Sequence, residues 1–355
     1  MLWEGMKKVT LRDVAREAGV SHGTVSNVFN HPDRVVKKVR ERVEAAALKI
    51  GYRGPDPLAR VLNSRRVNAI GVATAEPMAF FFEDPFASAI LAAVSREADA
   101  RGAGLSLVSA ASDKALAWNI GSALVDGFIL FCIEGGSRLV ELTRKRGLPF
   151  VALELGVDDP SIPVIGVDNV AGARLAVDHL AALGHRHLAI LSMPFGDSSG
   201  SGPAMRSEAE AAEYSSTADR IRGYFEAAES LGLLPMPIYQ TRNEEKSVIA
   251  ALAELYEGQN GPTGLLCMSD RIALIAIEWL RSRGRNVPGD VSVTGFDDIP
   301  VAATASPALT TIAQPIDVMG RLAVGMILDG PEETRKIVPT RLIVRDTTGK
   351  APGRA

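Results

Sequence analysis

The stretch from Thr10 to Asn30 leaves the chain few ways to fold. Thr10 and Asp13 form a capping pair, and Val14, Ala15 and Ala18 recur on one face at helical spacing. Gly19-Val20 makes a tight turn. Ser21 then caps a second helix whose inward face carries Val25 and Val28. A third helix is predicted over 36–50, where Val39, Val43, Ala46, Ala47 and Ile50 form an apolar stripe that Gly51 ends. A three-helix unit of this size has a small core and is marginal by itself. The outward face of the second helix holds His22, Gly23, Thr24, Ser26, Asn27 and Asn30. Small and polar groups there suit close approach to base edges in a major groove. The alternative is an ordinary surface helical hairpin.

Charge bears on that choice. Residues 1–66 carry fourteen Lys and Arg against seven acids, a net of +7, while the whole chain is −3, so residues 67–355 carry −10. A basic head on an acidic body suits phosphate contact and electrostatic steering by the head alone. A charge run is also compatible with a merely solvated face.

Thr10 to Asn30, Arg40 to Tyr52 and Leu58 to Leu62 together resemble the DNA-binding head of the LacI/GalR family of bacterial regulators. The likeness continues through Val125 to Leu130, Gly184-His185, Val287 to Asp298 and Pro307 to Thr311, in that order, and covers roughly residues 6 to 345. Several motifs in one order are far more specific than any one of them. The resemblance implies a helix-turn-helix domain at 6–53, a hinge helix and linker at 54–66, a two-lobed effector-binding and dimerisation domain at 67–345, and a polar tail at 346–355. Met6 is the expected native start.

Pro55 and Pro57 forbid continuation of the third helix, and Pro57 can begin a short new one through about Ser64. A helix of that length is unstable alone in water. In the family the corresponding hinge folds against its dimer mate on DNA and wedges a leucine into the minor groove. Leu62 holds that position here, with Arg60 beside it. Packing of Leu62 onto the body is the alternative. The linker has one residue more than the usual spacing, most simply Gly54, which bears on half-site geometry.

The body is long enough for two α/β lobes. Strand-like runs at 69–73, 105–108, 127–131, 150–153, 164–167, 188–191, 264–267 and 291–294 alternate with helical runs at 86–101, 171–183, 217–231 and 271–283. Such alternation implies parallel, Rossmann-like sheets with ligands beyond the carboxyl ends of the strands. The resemblance makes the body periplasmic-binding-protein-like, with a small-molecule effector between the lobes.

The candidate effector residues sit at strand ends or helix starts: Asp84, Phe86, Phe131, Glu154, Arg220, Ser269, Asp297 and Gln314. Asp84-Pro85-Phe86 and Ser269-Asp270 carry Asp and Ser where the family pattern has Asn. For each residue taken singly, a capping or surface role competes with ligand contact. Phe131 fits cleft or core. Asp168, Asn169, Asp270 and Asp298 read as structural. Three acids beside one arginine suit a polyhydroxylated ligand such as a sugar, and Arg220 leaves an acidic ligand open. The run from Met193 to Ser216 reads as a long polar loop, either a disordered excursion or a lid.

Other chemistry is thin. Cys132 and Cys267 lie in apolar runs and read as reduced core residues of a cytoplasmic protein. His185 and His187 follow a helix end and read as structural. The histidines lack metal-ligand spacing, and no phosphate loop, nucleophile elbow, dinucleotide fingerprint, signal peptide or membrane-length apolar run is present. No cofactor is expected beyond the effector, and no membrane partner. The tail lacks heptads, so a homodimer is expected rather than a tetramer. His22, Gly23 and Asn27 are the expected base readers on double-stranded operator DNA, with Ser21, Thr24 and Asn30 holding phosphate or shaping the helix. The expected activity is an effector-switched operator binder. A solute-binding protein or a sugar-modifying enzyme is the rival.

Overall fold

The computed structural model describes residues 9–54, 66–109, 113–133, 138–155, 159–196, 199–257, 261–331 and 333–353, and the chain divides into a unit ending at Val67 and a unit from Asn68 onward. The expected hinge helix, with Arg60 and Leu62, lies outside the described residues.

The first unit is helical. It comprises α1 (Leu11–Ala18), α2 (His22–Asn30), a 3-10 turn (Pro32–Arg34) and α3 (Lys37–Lys49). Asp13 accepts from the backbone N–H and hydroxyl of Thr10 at 3.0 and 2.7 Å, which fixes the start of α1. Gly19, at φ 63°, takes the left-handed conformation that ends it, at little cost for a residue without Cβ. The predicted inward residues are buried except Val39 and Ile50, which are half-buried against the same core. Val14, Val25, Val28 and Val43 join Ala15, Ala18, Ala46 and Ala47 in one small core, closed by Phe29 and Tyr52 edge to face at 5.4 Å. An exposed ion pair, Lys49 to Glu17 at 2.6 Å, ties α3 to α1.

The second unit holds two lobes. The first lobe starts with β1 (Ala69–Thr74), α4 (Phe80–Glu83), α5 (Pro85–Ala100), β2 (Gly104–Ser109) and α6 (Asp113–Ser122). It continues through β3 (Gly127–Ile133), α7 (Arg138–Arg146), β4 (Phe150–Leu155) and β5 (Val164–Val167). The chain then crosses into α8 (Asn169–Ala182), β6 (Leu188–Ser192), β7 (Gly202–Ala204), α9 (Arg206–Glu210), α10 (Ser215–Ser230), β8 (Ile238–Gln240) and α11 (Glu245–Leu255). After these come β9 (Gly264–Cys267), α12 (Asp270–Ser282), β10 (Ser292–Asp297), α13 (Pro300–Thr304) and β11 (Thr310–Ala313). It returns to the first lobe for α14 (Ile316–Leu328) and β12 (Arg335–Val338), and crosses last into β13 (Arg341–Ile343).

The first sheet is parallel throughout, in the order β12-β5-β4-β3-β1-β2. The second runs β13-β11-β10-β9-β6-β8-β7, parallel except for its two antiparallel edge strands. Five parallel strands in each lobe therefore share one order, second-first-third-fourth-fifth. Each lobe reverses direction beside its first strand, between β1 and β3 and between β6 and β9. Ligands of such sheets sit outside the carboxyl ends at that reversal. The central strands read as near-continuous apolar runs because helices cover both faces, and β5, β6 and β9 are buried along their whole length.

Two sequence expectations change here. Residues 193–216 do not form one long loop: 202–204 pair antiparallel with β8 as the sheet's edge, and α9 follows. The alternation test missed them because the pieces are three and five residues long. Residues 346–353 do not hang off the body as a tail. Thr347 is fully buried, takes the Thr310 N–H on its hydroxyl oxygen and donates to Val293 carbonyl. Buried His185 contacts the Gly349 carbonyl at 3.1 Å and Thr263 at 3.0 Å, so its structural reading holds. Polar composition misled because these threonines satisfy buried strand ends.

Candidate functional sites

On the first unit, the side predicted to face outward does so. His22, Gly23 and Asn27 are exposed along α2. Ser21 accepts the Thr24 N–H at 3.0 Å and its hydroxyl pairs with that of Thr24 at 2.9 Å, while Asn30 donates to Ser26 at 3.2 Å. Ser21, Thr24 and Asn30 thus shape the helix, which leaves His22 and Asn27 as outward polar groups. A Cβ on Gly23 would meet only Ser21 Oγ, at 3.8 Å, so this position is open.

In the body, the candidate residues gather along the carboxyl ends of the two sheets. From the first lobe, Asp84 follows β1 and starts α5. Its Oδ1 accepts the N–H groups of Phe86 and Ala87, both at 3.0 Å. Phe131, near the end of β3, is fully buried, with Phe80, Phe81 and Phe86 around it at 6.0–6.1 Å between centroids. It therefore belongs to the core, which resolves the two sequence readings against direct cleft exposure. Glu154, near the end of β4, has φ 58°. Its Oε1 is buried with no hydrogen-bond partner, and burial pushes its carboxyl up, opposed by Arg220 and by Asn169.

From the second lobe, Arg220 lies on α10, almost fully buried. Its Nε donates to Asn169 Oδ1 at 2.9 Å, its Nη1 to the Met268 carbonyl at 2.5 Å, and the guanidinium lies 3.7 Å from the centroid of Phe296. Asp297 ends β10 at φ 123°, and its Oδ1 accepts from Gln314 Nε2 at 2.8 Å. Burial pushes the Asp297 carboxyl well up against the pull of Arg220. The Gln314 Oε1 is buried and unpartnered, as is Gln240 Nε2 at the end of β8. Ser269 caps α12 through the Ile272 N–H at 3.1 Å and donates to Asn243 Oδ1 at 2.7 Å. Both Asp84 and Ser269 are thus helix caps; Ser269 stands just beyond β9, whereas α4 separates Asp84 from β1.

Of the five non-glycine residues with positive φ among the described residues, Glu154, Asn243, Asp297 and Asp298 stand at or just beyond strand ends in this region. Strained backbone concentrates where side chains must be aimed. Asp270 and Asp298 keep the structural roles read from the sequence: Asp270 accepts from Ile299 N–H and Thr311, and Asp298 pairs with Arg345 at 2.6 Å. Asn169 keeps a structural role as well, and its Oδ1 accepts from Arg220 Nε. Asn243 and Arg271 went unread. Asn243 follows a three-residue strand too short to register as a period, and Arg271 sits in the first turn of a helix. In the first lobe the half-buried rings of Phe80 and Phe86 pack on Phe131, and the polar groups stand at the strand ends of both lobes. Free acceptors at Glu154 and Gln314 stand near a guanidinium, an arrangement that can bind hydroxyl donors.

Among the described residues, no group of His, Cys, Asp or Glu is placed to hold a metal ion, and no helix is long and apolar enough to cross a membrane. Cys267 is a free thiol, buried and pushed up in pKa by that burial.

Residues 10–54 match the model of bacterial regulatory proteins of the lacI family, and residues 177–348 match the periplasmic binding protein-like domain. An HTH-type transcriptional regulator of Mycobacterium tuberculosis is 34% identical over 352 residues, 97% of this chain and 98% of the relative. The fold matches a transcriptional regulator CelR–cellobiose complex with TM-score 0.67 at 29% identity, over 96% of this chain and 99% of that one. It matches the lac repressor dimer bound to operator and an anti-inducer with TM-score 0.76 at 27% identity, over 97% and 100%.

Proposed function

The chain belongs to the lacI family of bacterial regulatory proteins and is a DNA-binding transcriptional regulator, and from that premise we propose that it is a homodimeric repressor of carbohydrate-utilisation genes whose operator affinity is switched by a sugar in the cleft between its lobes. The observation that carries the ligand class is the pair of buried, unpartnered acceptors, Glu154 Oε1 and Gln314 Oε1, beside Arg220 and Asp297. An acceptor buried without a partner costs about 1–3 kcal/mol. A ligand rich in hydroxyl donors offsets that cost, and an apolar ligand does not. The half-buried rings of Phe80 and Phe86 offer a sugar ring an apolar face. The relative in fold solved with cellobiose accords with this class.

On DNA, two heads occupy successive major grooves of a near-palindromic site. His22 and Asn27 contact base edges, Asn27 pairing with adenine through both amide groups. Arg60 and Leu62 act from the linker, with Leu62 as the minor-groove wedge. Sugar binding changes lobe closure, closure moves the hinge attachments, and the two affinities are coupled reciprocally by about 1–3 kcal/mol. No catalytic role is assigned to any residue.

Mobility shifts on DNA upstream of the protein's own gene, with and without a panel of mono- and disaccharides, test the proposal. A retarded band that a sugar alters is the expected result. Sugar binding without any DNA affinity would point instead to a solute binder, and sugar turnover to an enzyme. Within the assay, Asp297→Ala should remove the sugar response and keep the band.

A further inference from the structure

The two lobes are joined by three chain crossings and, among the described residues, by a polar bridge from Asp84 to Asn243. Asp84 of the first lobe uses Oδ1 to cap its own helix, which leaves Oδ2 aimed at the second lobe. There it takes the Asn243 side-chain amide N–H at 3.3 Å, with Arg271 3.9 Å away. Asn243 Oδ1 in turn accepts from the Ser269 hydroxyl at 2.7 Å. The direction of the amide is fixed by its two neighbours: its NH₂ donates to Asp84 Oδ2 and its oxygen accepts from the Ser269 hydroxyl. The Asn243 backbone is held as firmly. It stands at φ 57°, a conformation asparagine tolerates, with its N–H bonded to Thr241 Oγ1 at 3.2 Å. The Asp84 side chain is only about one-tenth exposed, so its bond to Asn243 is largely shielded from water. Beside it, Phe86 packs on the cores of both lobes.

We propose that Asn243 is a positioning residue that straps the lobes together, so that any rotation of one lobe against the other has to break its bond to Asp84. Its coupling to DNA affinity rests on the effector-switched reading above. The strap itself does not. A rigid turn, an amide whose direction is fixed by the groups around it and a carboxylate already anchored by two backbone donors make the bond a sensor of lobe setting. A ligand that draws on Asp84 or Ser269 competes for it.

The test is a polarity swap in the full chain. Asn243→Asp places a second carboxylate against Asp84 and should open the strap. Adding Asp84→Asn restores the bond with the donor now on the other lobe, because asparagine also caps α5 and the carboxylate introduced at position 243 still accepts from Ser269. Spin labels on exposed Trp118 and Leu231, one per lobe, report the interlobe distance without DNA. The distance distribution should shift in Asn243→Asp and return in the double variant. Operator affinity should change about fivefold or more in the single variant and return to within about twofold in the double. An unchanged distance in Asn243→Asp, or a shift that the swap fails to reverse, overturns the strap. If the wild-type chain ignores DNA altogether, the regulatory reading falls while the distances still decide the strap.

Discussion

Asp270 shows how a single residue can look functional and serve the scaffold. It is fully buried, with one oxygen on the Ile299 N–H at 2.9 Å and the other on the Thr311 hydroxyl. Burial pushes its carboxyl up to about 7, although those hydrogen bonds pull it down. In the unfolded chain an aspartate titrates near about 3.9. The folded state therefore holds a proton that the unfolded state has lost, and stability falls as pH rises between those two values, by roughly 1.4 kcal/mol per unit. The contribution is complete below the unfolded value and gone above about 7. Asp270→Asn can keep both contacts, accepting from Ile299 and donating to Thr311. Thermal melts should show a flatter stability profile for the variant from pH 5 to pH 7; equal slopes would mean that Asp270 is ionised in the fold. Arg220 makes the opposite case. Its guanidinium serves Asn169, the Met268 carbonyl and the face of Phe296 at once, geometry a lysine ammonium does not reproduce. Arg220→Lys should weaken effector affinity at least about tenfold, which is about 1.4 kcal/mol, with the melting temperature measured alongside to separate binding from folding. Both residues were legible as sequence strings. Asn169 was not: a polar residue at a helix start is indistinguishable from a cap until the helix opposite brings an arginine to it.

At the scale of elements, α8 and α10 make a close backbone contact behind the cleft. A Cβ at Gly223 would lie 2.4 Å from the Val170 carbonyl oxygen and 2.8 Å from the Ala173 Cβ. Backbone cannot yield as a side-chain tip can. Gly223→Ala should therefore destabilise by about 1–3 kcal/mol, as overpacking does. Because Gly223 lies one turn after Arg220, and Asn169 begins α8, the same change should weaken sugar binding. A calorimetric melt beside a binding titration checks both, and a variant as stable as wild type would refute the close approach. What the sequence reveals at this scale follows from burial. β1, β3, β5, β6 and β9 were readable because helices cover both faces and leave nearly unbroken apolar runs, whereas β10 interleaves Ser292 and Thr294 with its apolar residues. β7, β8, β12 and β13 are three or four residues long, and no period fits in so short a window. Asn243 was lost with β8, since a residue becomes a strand-end candidate only once its strand is recognised. The glycine spacing that permits the α8–α10 contact carried no signal, because what it avoids is a carbonyl 53 residues away in sequence.

The whole molecule separates charge as it separates tasks. Residues 1–66 hold +7 and the rest −10, a division visible in composition by simple counting. The helices of the head leave polar, exposed groups on α2, and among the described residues its Lys and Arg are exposed except for half-buried Arg40. The acidic body repels DNA, so the head must supply the attraction, and much of it must come from phosphates rather than bases. Salt then becomes the discriminating variable. A dimer making about six to ten phosphate contacts should lose about 10³-fold or more in affinity between about 50 and 200 mM salt. If Asn27 reads a base as proposed, Asn27→Ala should lower affinity for the operator by about 1–3 kcal/mol while leaving the salt slope unchanged. Replacing a head lysine such as Lys38 by alanine should do the reverse, reducing the slope by about one unit with little change in sequence preference. Titrations of both variants on operator and scrambled duplexes at several salt concentrations separate the two roles. If Asn27→Ala weakened both duplexes equally and altered the slope, α2 would not be the reading helix, and the exposed polar face that first marked this chain would have to be reassigned to the phosphate backbone.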